Sequence, residues 1–220
     1  MLTIEIVSDV VCPWCFIGTR RLETALTQVR REFPDFQCRK IWQPFFLNPD
    51  TPPEGEPYLP FLLSKFGSRE KVEEIFERVR AAGRPYGLEY AFEKIQFRAN
   101  TLKAHRLLHW AQTVDPDEVK VDALVERLFS AQFQRGEHVG DVAVLTAIAA
   151  ECGYDATVVA DFLASDRDAE TVKQKESATR QKGITMVPTF VLNGQKVIVG
   201  AEDPAILVEG IRGVLQAGQA

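Results

Sequence analysis

No apolar run in this 220-residue chain approaches the roughly 20 residues that a membrane-spanning helix needs, so a transmembrane segment is not expected. A basic region followed by a small-residue cleavage site is also missing at the N terminus, where Glu5 and Asp9 interrupt the first apolar stretch. A chain that passes from Met1-Leu2 straight into a strand reads as complete, and a cytoplasmic location is expected. Basic blocks are scarce: only Arg20-Arg21 and Arg30-Arg31 stand out against a net charge of -5, which argues against a nucleic-acid partner. Cysteines number four, and no second CxxC accompanies the one at 12–15, so a structural zinc site lacks its usual four ligands and no metal is expected. With 45% hydrophobic and 26% charged residues, the composition is that of an ordinary globular protein, one large domain or two small ones.

What the chain does have is Cys12-Pro13-Trp14-Cys15. A β-type run (Leu2, Ile4, Ile6, then Val7, Val10 and Val11) leads into it. Leu22, Ala25, Leu26 and Val29 follow at helical spacing, placing the pair where a strand hands over to a helix. The first turn of a helix presents unpaired N–H groups and the positive end of its dipole, and both favour a thiolate. Pro13 suits the first helical position because its missing N–H would have no partner there. Cys12 is therefore the candidate nucleophile, an exposed sulfur that attacks or is attacked, and Cys15, one turn further in, the resolving thiol. A structural cysteine pair or half of a metal site is the competing reading. Cys38 and Cys152 are expected to be buried free thiols that pack as small hydrophobes.

Along the rest of the chain, residues 36–46 read as a second strand after the Pro34-Asp35 turn, giving a βαβ unit with a parallel pair. From Tyr58 to about Leu163 the pattern is helical, with stripes Val72, Ile75, Phe76, Val79 and Val121, Leu124, Val125, Leu128, consistent with about five or six helices. Asn100 or Thr101 and Asp141 are candidate N-caps. His105 and His109 lie four apart near the border of the stripe Ala104, Leu107, Leu108 and Ala111, where a packing or surface role is expected, although Asn100 and His105 could instead line the cleft facing the CxxC. A polar helix over 166–182 follows. Two β-type runs then flank Asn193-Gly194, the signature of an antiparallel hairpin, and a final helix follows Asp203-Pro204. Residues 1–48 and 165–220 would then form one sheet domain, with 49–164 a helical insertion domain.

That order, with CxxC opening the first helix and Val187-Pro188-Thr189-Phe190 starting a late strand, resembles the α/β thioredoxin fold. The inserted all-helical subdomain is similar to that of the DsbA-like branch. Ser8-Asp9-Val10-Val11 before the CxxC, with Gly18, Arg20, Arg21 and Leu22 after it and Asn100 to Arg106 and Gly140-Asp141 further on, resembles its cytoplasmic FrnE-like group. The resemblance implies a cis Pro188 and a substrate-binding surface made by Pro13, Trp14, Val187 and Pro188, where an extended segment could add a strand on the Val187 backbone. It also implies thiol–disulfide oxidoreductase or isomerase activity on a disulfide- or thiol-containing protein or small molecule. No cofactor would be bound, with glutathione or another thiol as co-substrate, in a monomer or homodimer in which Phe61 and Phe66 could be exposed against a partner. Trp14, which carries no cation, suggests a site less oxidising than one with histidine there. A departure concerns the carboxylate that many thioredoxin-like proteins carry six residues before the first cysteine: here it is Ile6, leaving water or another group, with Glu5 and Asp9 nearby, to handle the Cys15 proton. Alternatives are a glutathione-dependent transferase or isomerase of the same fold, such as kappa-class transferases and chromene-carboxylate isomerases, which have serine where this chain has Cys12, and a redox-sensing binding module or holdase.

Overall fold

The computed structural model describes residues 1–114 and 116–217. At its centre is β1 (Leu2–Ser8), buried along nearly its whole length, as an apolar strand with a neighbour on each side must be. β2 (Cys38–Pro44) pairs with it in parallel, in the register Ile6↔Trp42, and β5 (Thr189–Leu192) pairs antiparallel on the other edge, Ile6↔Phe190. β6 (Lys196–Val199) completes the order β2-β1-β5-β6. The α1 helix (Pro13–Glu32) makes the crossover from β1 to β2, and its predicted stripe Leu22, Ala25, Leu26 and Val29 is fully buried. It packs against α9 (Pro204–Ala217), while α8 (Ala169–Gln181) lies on β2.

The hairpin turns as its Asn-Gly pair requires: Asn193 and Gly194 both adopt positive φ, and the Asn193 side chain accepts a hydrogen bond from the Thr3 N–H at 2.8 Å, tying the turn to β1. The strand before it is shorter than the apolar run suggests. Residues 186–189 form a turn, closed by the Thr189 hydroxyl donating to the Met186 carbonyl at 2.7 Å, and pairing starts only at Thr189.

Six α-helices stand between β2 and α8 among the described residues: α2 (Tyr58–Phe66), α3 (Arg69–Gly83), α4 (Leu102–Val114), α5 (Glu118–Ser130), α6 (Val142–Glu151) and α7 (Ala156–Ala164). Caps account for several starts: Asp141 accepts from the Val144 N–H, Asp117 and Asp155 act likewise on α5 and α7, and Asn100 accepts from the Leu102 N–H at 3.1 Å. An all-helical reading of this region needs one correction. A two-stranded ribbon, β3 (Glu56–Pro57) with β4 (Phe97–Arg98), spans it, and strands of two residues are too short to leave an alternation pattern. Phe61 and Phe66 are half-buried rather than exposed: the Arg98 guanidinium lies 4.0 Å from the Phe61 ring centre, and Lys65 covers both rings.

The helical segment meets α1 through aromatic rings. Phe16, fully buried one residue after Cys15, stacks on Phe129 of α5 at 5.0 Å between centroids, and Tyr90 meets its edge at 6.1 Å. The floor beneath the CxxC is thus shared by the sheet and the insertion.

Candidate active site

Cys12 is the N-cap residue of α1, in extended conformation with Pro13 at the first helical position, and its N–H donates to the Asp9 carbonyl at 3.0 Å. Cys15 sits in the first turn, its own N–H bonded to the Cys12 carbonyl at 3.0 Å, so the two sulfurs lie side by side as free thiols. The expectation of an exposed attacking sulfur is corrected: Cys12 retains 4% of its surface and Cys15 none, because Val11, Trp14 and Val187 pack against the core that includes them. The Cys12 sulfur contacts the Val187 carbonyl at 3.9 Å. The Val187–Pro188 peptide is cis, Val187 half-buried and Pro188 buried. Gly18 permits this approach, since a Cβ there would lie 2.7 Å from Pro188 Cγ. Pro13 and Trp14 are half-buried beside the thiols, so the structure brings together all six residues singled out from the sequence.

Burial, and after it the neighbouring Cys12, pushes the Cys15 thiol well above its ordinary range; the Ser8 hydroxyl and the Asp9 backbone N–H reach its sulfur and act the other way. A folded-state value above the unfolded one means that the protonated thiol's contribution is whole below the unfolded value and is lost as pH rises through the folded one. The reduced protein should therefore lose stability above about pH 9. Urea midpoints measured from neutral pH to about pH 10 should fall, and Cys15→Ala should make the fall shallower by at most ~1.4 kcal/mol per pH unit. Tyr90, Cys38 and Cys152 are pushed up by burial too and leave a residual slope of the same sign. A variant curve parallel to the parent's would refute the assignment to Cys15.

Three side chains beyond those six complete the site. Tyr90 donates from its hydroxyl to the Pro13 carbonyl at 2.8 Å, clamping the dipeptide between the cysteines from the helical segment. Tyr90→Phe removes a mostly buried bond and should cost ~1 kcal/mol in urea unfolding; a change below a few tenths would show that water takes its place. Asp9, 1% exposed, and His105, 4% exposed, face each other at 3.2 Å. His105 is thus a core residue and not a border one, because α4 turns that face toward the β1–α1 loop. His109 instead meets Lys175 at 3.1 Å, so the two histidines do not converge. Glu5 accepts from the Gln43 side chain on the other face of β1 from Ile6. Cys38 and Cys152 are half-buried rather than buried, one opening the edge strand β2 and the other capping α6. Tyr90 stands 77 residues from Pro13 with nothing local to mark it; Asp9, a carboxylate amid Val7, Val10 and Val11, was the available signal.

A mainly apolar cavity of about 130 Å³ opens beside Val11 and Pro13, which flank Cys12, and is lined also by Leu47, Tyr58, Phe61 and Phe76 among others. Larger hollows of about 650 Å³ lie along the polar outer face of α1 and beside β6 and α9.

A strand-to-helix CxxC on this sheet, with a proline turn against it and a helical insertion packed behind, defines a thioredoxin-fold dithiol protein. Residues 3–212 match the DSBA-like thioredoxin domain, and the chain belongs to that family of thiol–disulfide oxidoreductases. The probable DsbA oxidoreductase of Streptomyces coelicolor superposes with a TM-score of 0.87 at 28% identity, covering 98% of this chain and 91% of that one. The uncharacterised Bacillus subtilis protein YwbO is 27% identical over 209 residues, 94% of each chain. The cytosolic disulfide reductase DsbM of Pseudomonas aeruginosa, in its structure with GSH, shares the fold at 15% identity with a TM-score of 0.64, over 99% of this chain and 98% of that one. No helix among the described residues is long and apolar enough to cross a membrane.

Proposed function

We propose that the CPWC pair is the redox centre of a thiol–disulfide oxidoreductase in which Cys12 is the nucleophile and Cys15 resolves. The observation that carries this reading is the position of Cys12 at the N-cap of α1, its sulfur beside that of Cys15 and against the Val187 carbonyl. As a reductant, the Cys12 thiolate attacks a substrate disulfide and expels one thiolate; Cys15 then attacks the Cys12 sulfur of the mixed disulfide and expels the other. Two electrons leave the dithiol, and an intramolecular disulfide forms. As an oxidant or isomerase the same steps run in reverse or stop at the mixed disulfide.

Pro13, Trp14, Val187 and Pro188 bind the substrate, an extended segment pairing with the Val187 backbone. The apolar cavity beside Pro13 takes a side chain that flanks the reacting cysteine. The substrate class is a disulfide- or thiol-containing protein or small molecule, and glutathione or another thiol serves as co-substrate without a bound cofactor. The FrnE-like character of the CxxC region favours a cytoplasmic setting, where such pairs are catalytic or sensing. Residues 1–48 with 165–220 make the thioredoxin domain, and 49–164 the insertion.

The test is a redox titration in glutathione buffers, counting free thiols by mass after alkylation. Reversible closure of one pair at a potential between about -270 and -120 mV is expected, and Cys12→Ser should abolish it. A pair that never closes, or that takes up zinc, would overturn the reading. Turnover of a disulfide substrate separates an enzyme from a binding module or holdase.

A further inference from the structure

The resolving step needs Cys15 to lose a proton from a fully buried site, and position 6, six residues before Cys12, offers only the buried Ile6. We propose that His105, held by Asp9, takes that proton through the Ser8 hydroxyl and one water enclosed between β1, β2 and α4. The inference rests on the oxidoreductase reading and deepens it.

The geometry runs outward from the sulfur. The Ser8 hydroxyl acts on the Cys15 thiol, and Ser8, Trp42, Gln43 and His105 line a cavity of about 10 Å³, which is about the room one water requires. A water also needs polar partners. Trp42 supplies one: its buried indole N–H has no acceptor among the described residues. At the far wall, His105 Nε2 lies 3.2 Å from Asp9 Oδ1 and 3.1 Å from the Phe45 carbonyl. A carbonyl only accepts, so Nε2 carries the hydrogen and Nδ1 is left as the nitrogen that can bind a proton. The Asp9 carboxylate, its Oδ2 fixed by the Leu47 N–H at 2.8 Å, then stabilises the imidazolium. This is the orienting logic of a base backed by a buried carboxylate, applied to a thiol.

The step balances. The Cys15 S–H bond breaks and its proton passes to His105; the Cys15 sulfur forms a bond to Cys12 as the bond from Cys12 to the substrate sulfur breaks. The departing thiolate is protonated from solvent, to which His105 later returns its proton. Charged and titratable groups facing the pair are Cys12 and Cys15 from α1 and, from α8, Glu176 and Arg180, which bond the Phe46 N–H and carbonyl. The α5 side chains in the cavity wall, Val125 and Phe129, are apolar. Asp9 and His105 do not touch the reacting sulfurs with their side chains, so they are positioning residues for the proton.

The experiment is stopped-flow reaction of the reduced protein with the chromogenic disulfide DTNB. The first coloured thiolate appears when Cys12 attacks, at a rate proportional to DTNB; the second appears when Cys15 resolves, independently of it. His105→Gln keeps a donor for the Phe45 carbonyl but removes the ring nitrogen that accepts the proton. It should lower the ratio of second-phase to first-phase rate about tenfold or more at neutral pH. The second phase should also lose its plateau and rise with hydroxide. Asp9→Asn and Ser8→Ala should act in the same direction, Ser8→Ala deciding if His105→Gln does not fold. An unchanged ratio and pH profile, or equal slowing of both phases, overturns the relay while leaving the oxidoreductase reading intact. A parent protein that releases a single thiolate overturns both.

Discussion

Cys12→Ser should lower turnover of a disulfide substrate by roughly 10³-fold or more, the scale on which removal of an essential nucleophile acts. A serine hydroxyl is not ionised at the start of α1, and Cys15 cannot substitute, since it exposes no surface and burial keeps it protonated. Cys15→Ser should behave differently, because Cys12 still attacks. The mixed disulfide then accumulates in place of being resolved, and intact-mass analysis after incubation with oxidised glutathione should show one glutathione per chain. Turnover by Cys12→Ser within tenfold of the parent would move the nucleophile elsewhere. The difference between the two variants identifies the attacking sulfur more directly than activity alone, since a general loss of structure would silence both alike.

Phe16→Ala should destabilise the reduced protein by ~3–5 kcal/mol, read as the shift in urea midpoint at constant m. No surface of Phe16 is exposed, and its ring touches Phe129, Phe133 and Tyr90, so truncation opens a cavity ringed by large side chains that cannot collapse into it. A loss of that size is a large part of the 5–15 kcal/mol typical of a native protein. It falls where the insertion meets the helix that carries both cysteines. The stabilising bond from Tyr90 to Pro13 depends on the same packing, so Phe16→Ala and Tyr90→Phe should be less than additive. A cost below about 1 kcal/mol would mean that the helical segment can repack around the gap.

The order of elements was legible because each carries a local mark. Residues 2–6 alternate apolar Leu2, Ile4 and Ile6 with polar Thr3 and Glu5 at strand period, the stripe at 22, 25, 26 and 29 has one helical period, and Asn193-Gly194 admits the two positive φ values its turn needs. The CxxC was legible for the same reason, since its placement at a helix start follows from Pro13 and from the residues just before and after it. Where the reading missed, the deciding contact joins distant segments. The Glu56–Arg98 pairing is one instance: two residues per strand leave no pattern. His105 is another. Helical spacing put it at the border of the α4 stripe, but α4 packs that border onto the β1–α1 loop, and Asp9 meets it 96 residues away.

Local chemistry thus determined the dithiol, its helix-start position and the hairpin opposite it, because propensity, capping and turn conformation act over a few residues. Only the tertiary structure decided how deeply Cys12 is covered, that Tyr90 clamps Pro13, and that Asp9 and His105 stand together behind Cys15. Those outcomes depend on how one helix face is set against another, and burial of a polar pair follows from that packing, not from the sequence on either side of each residue.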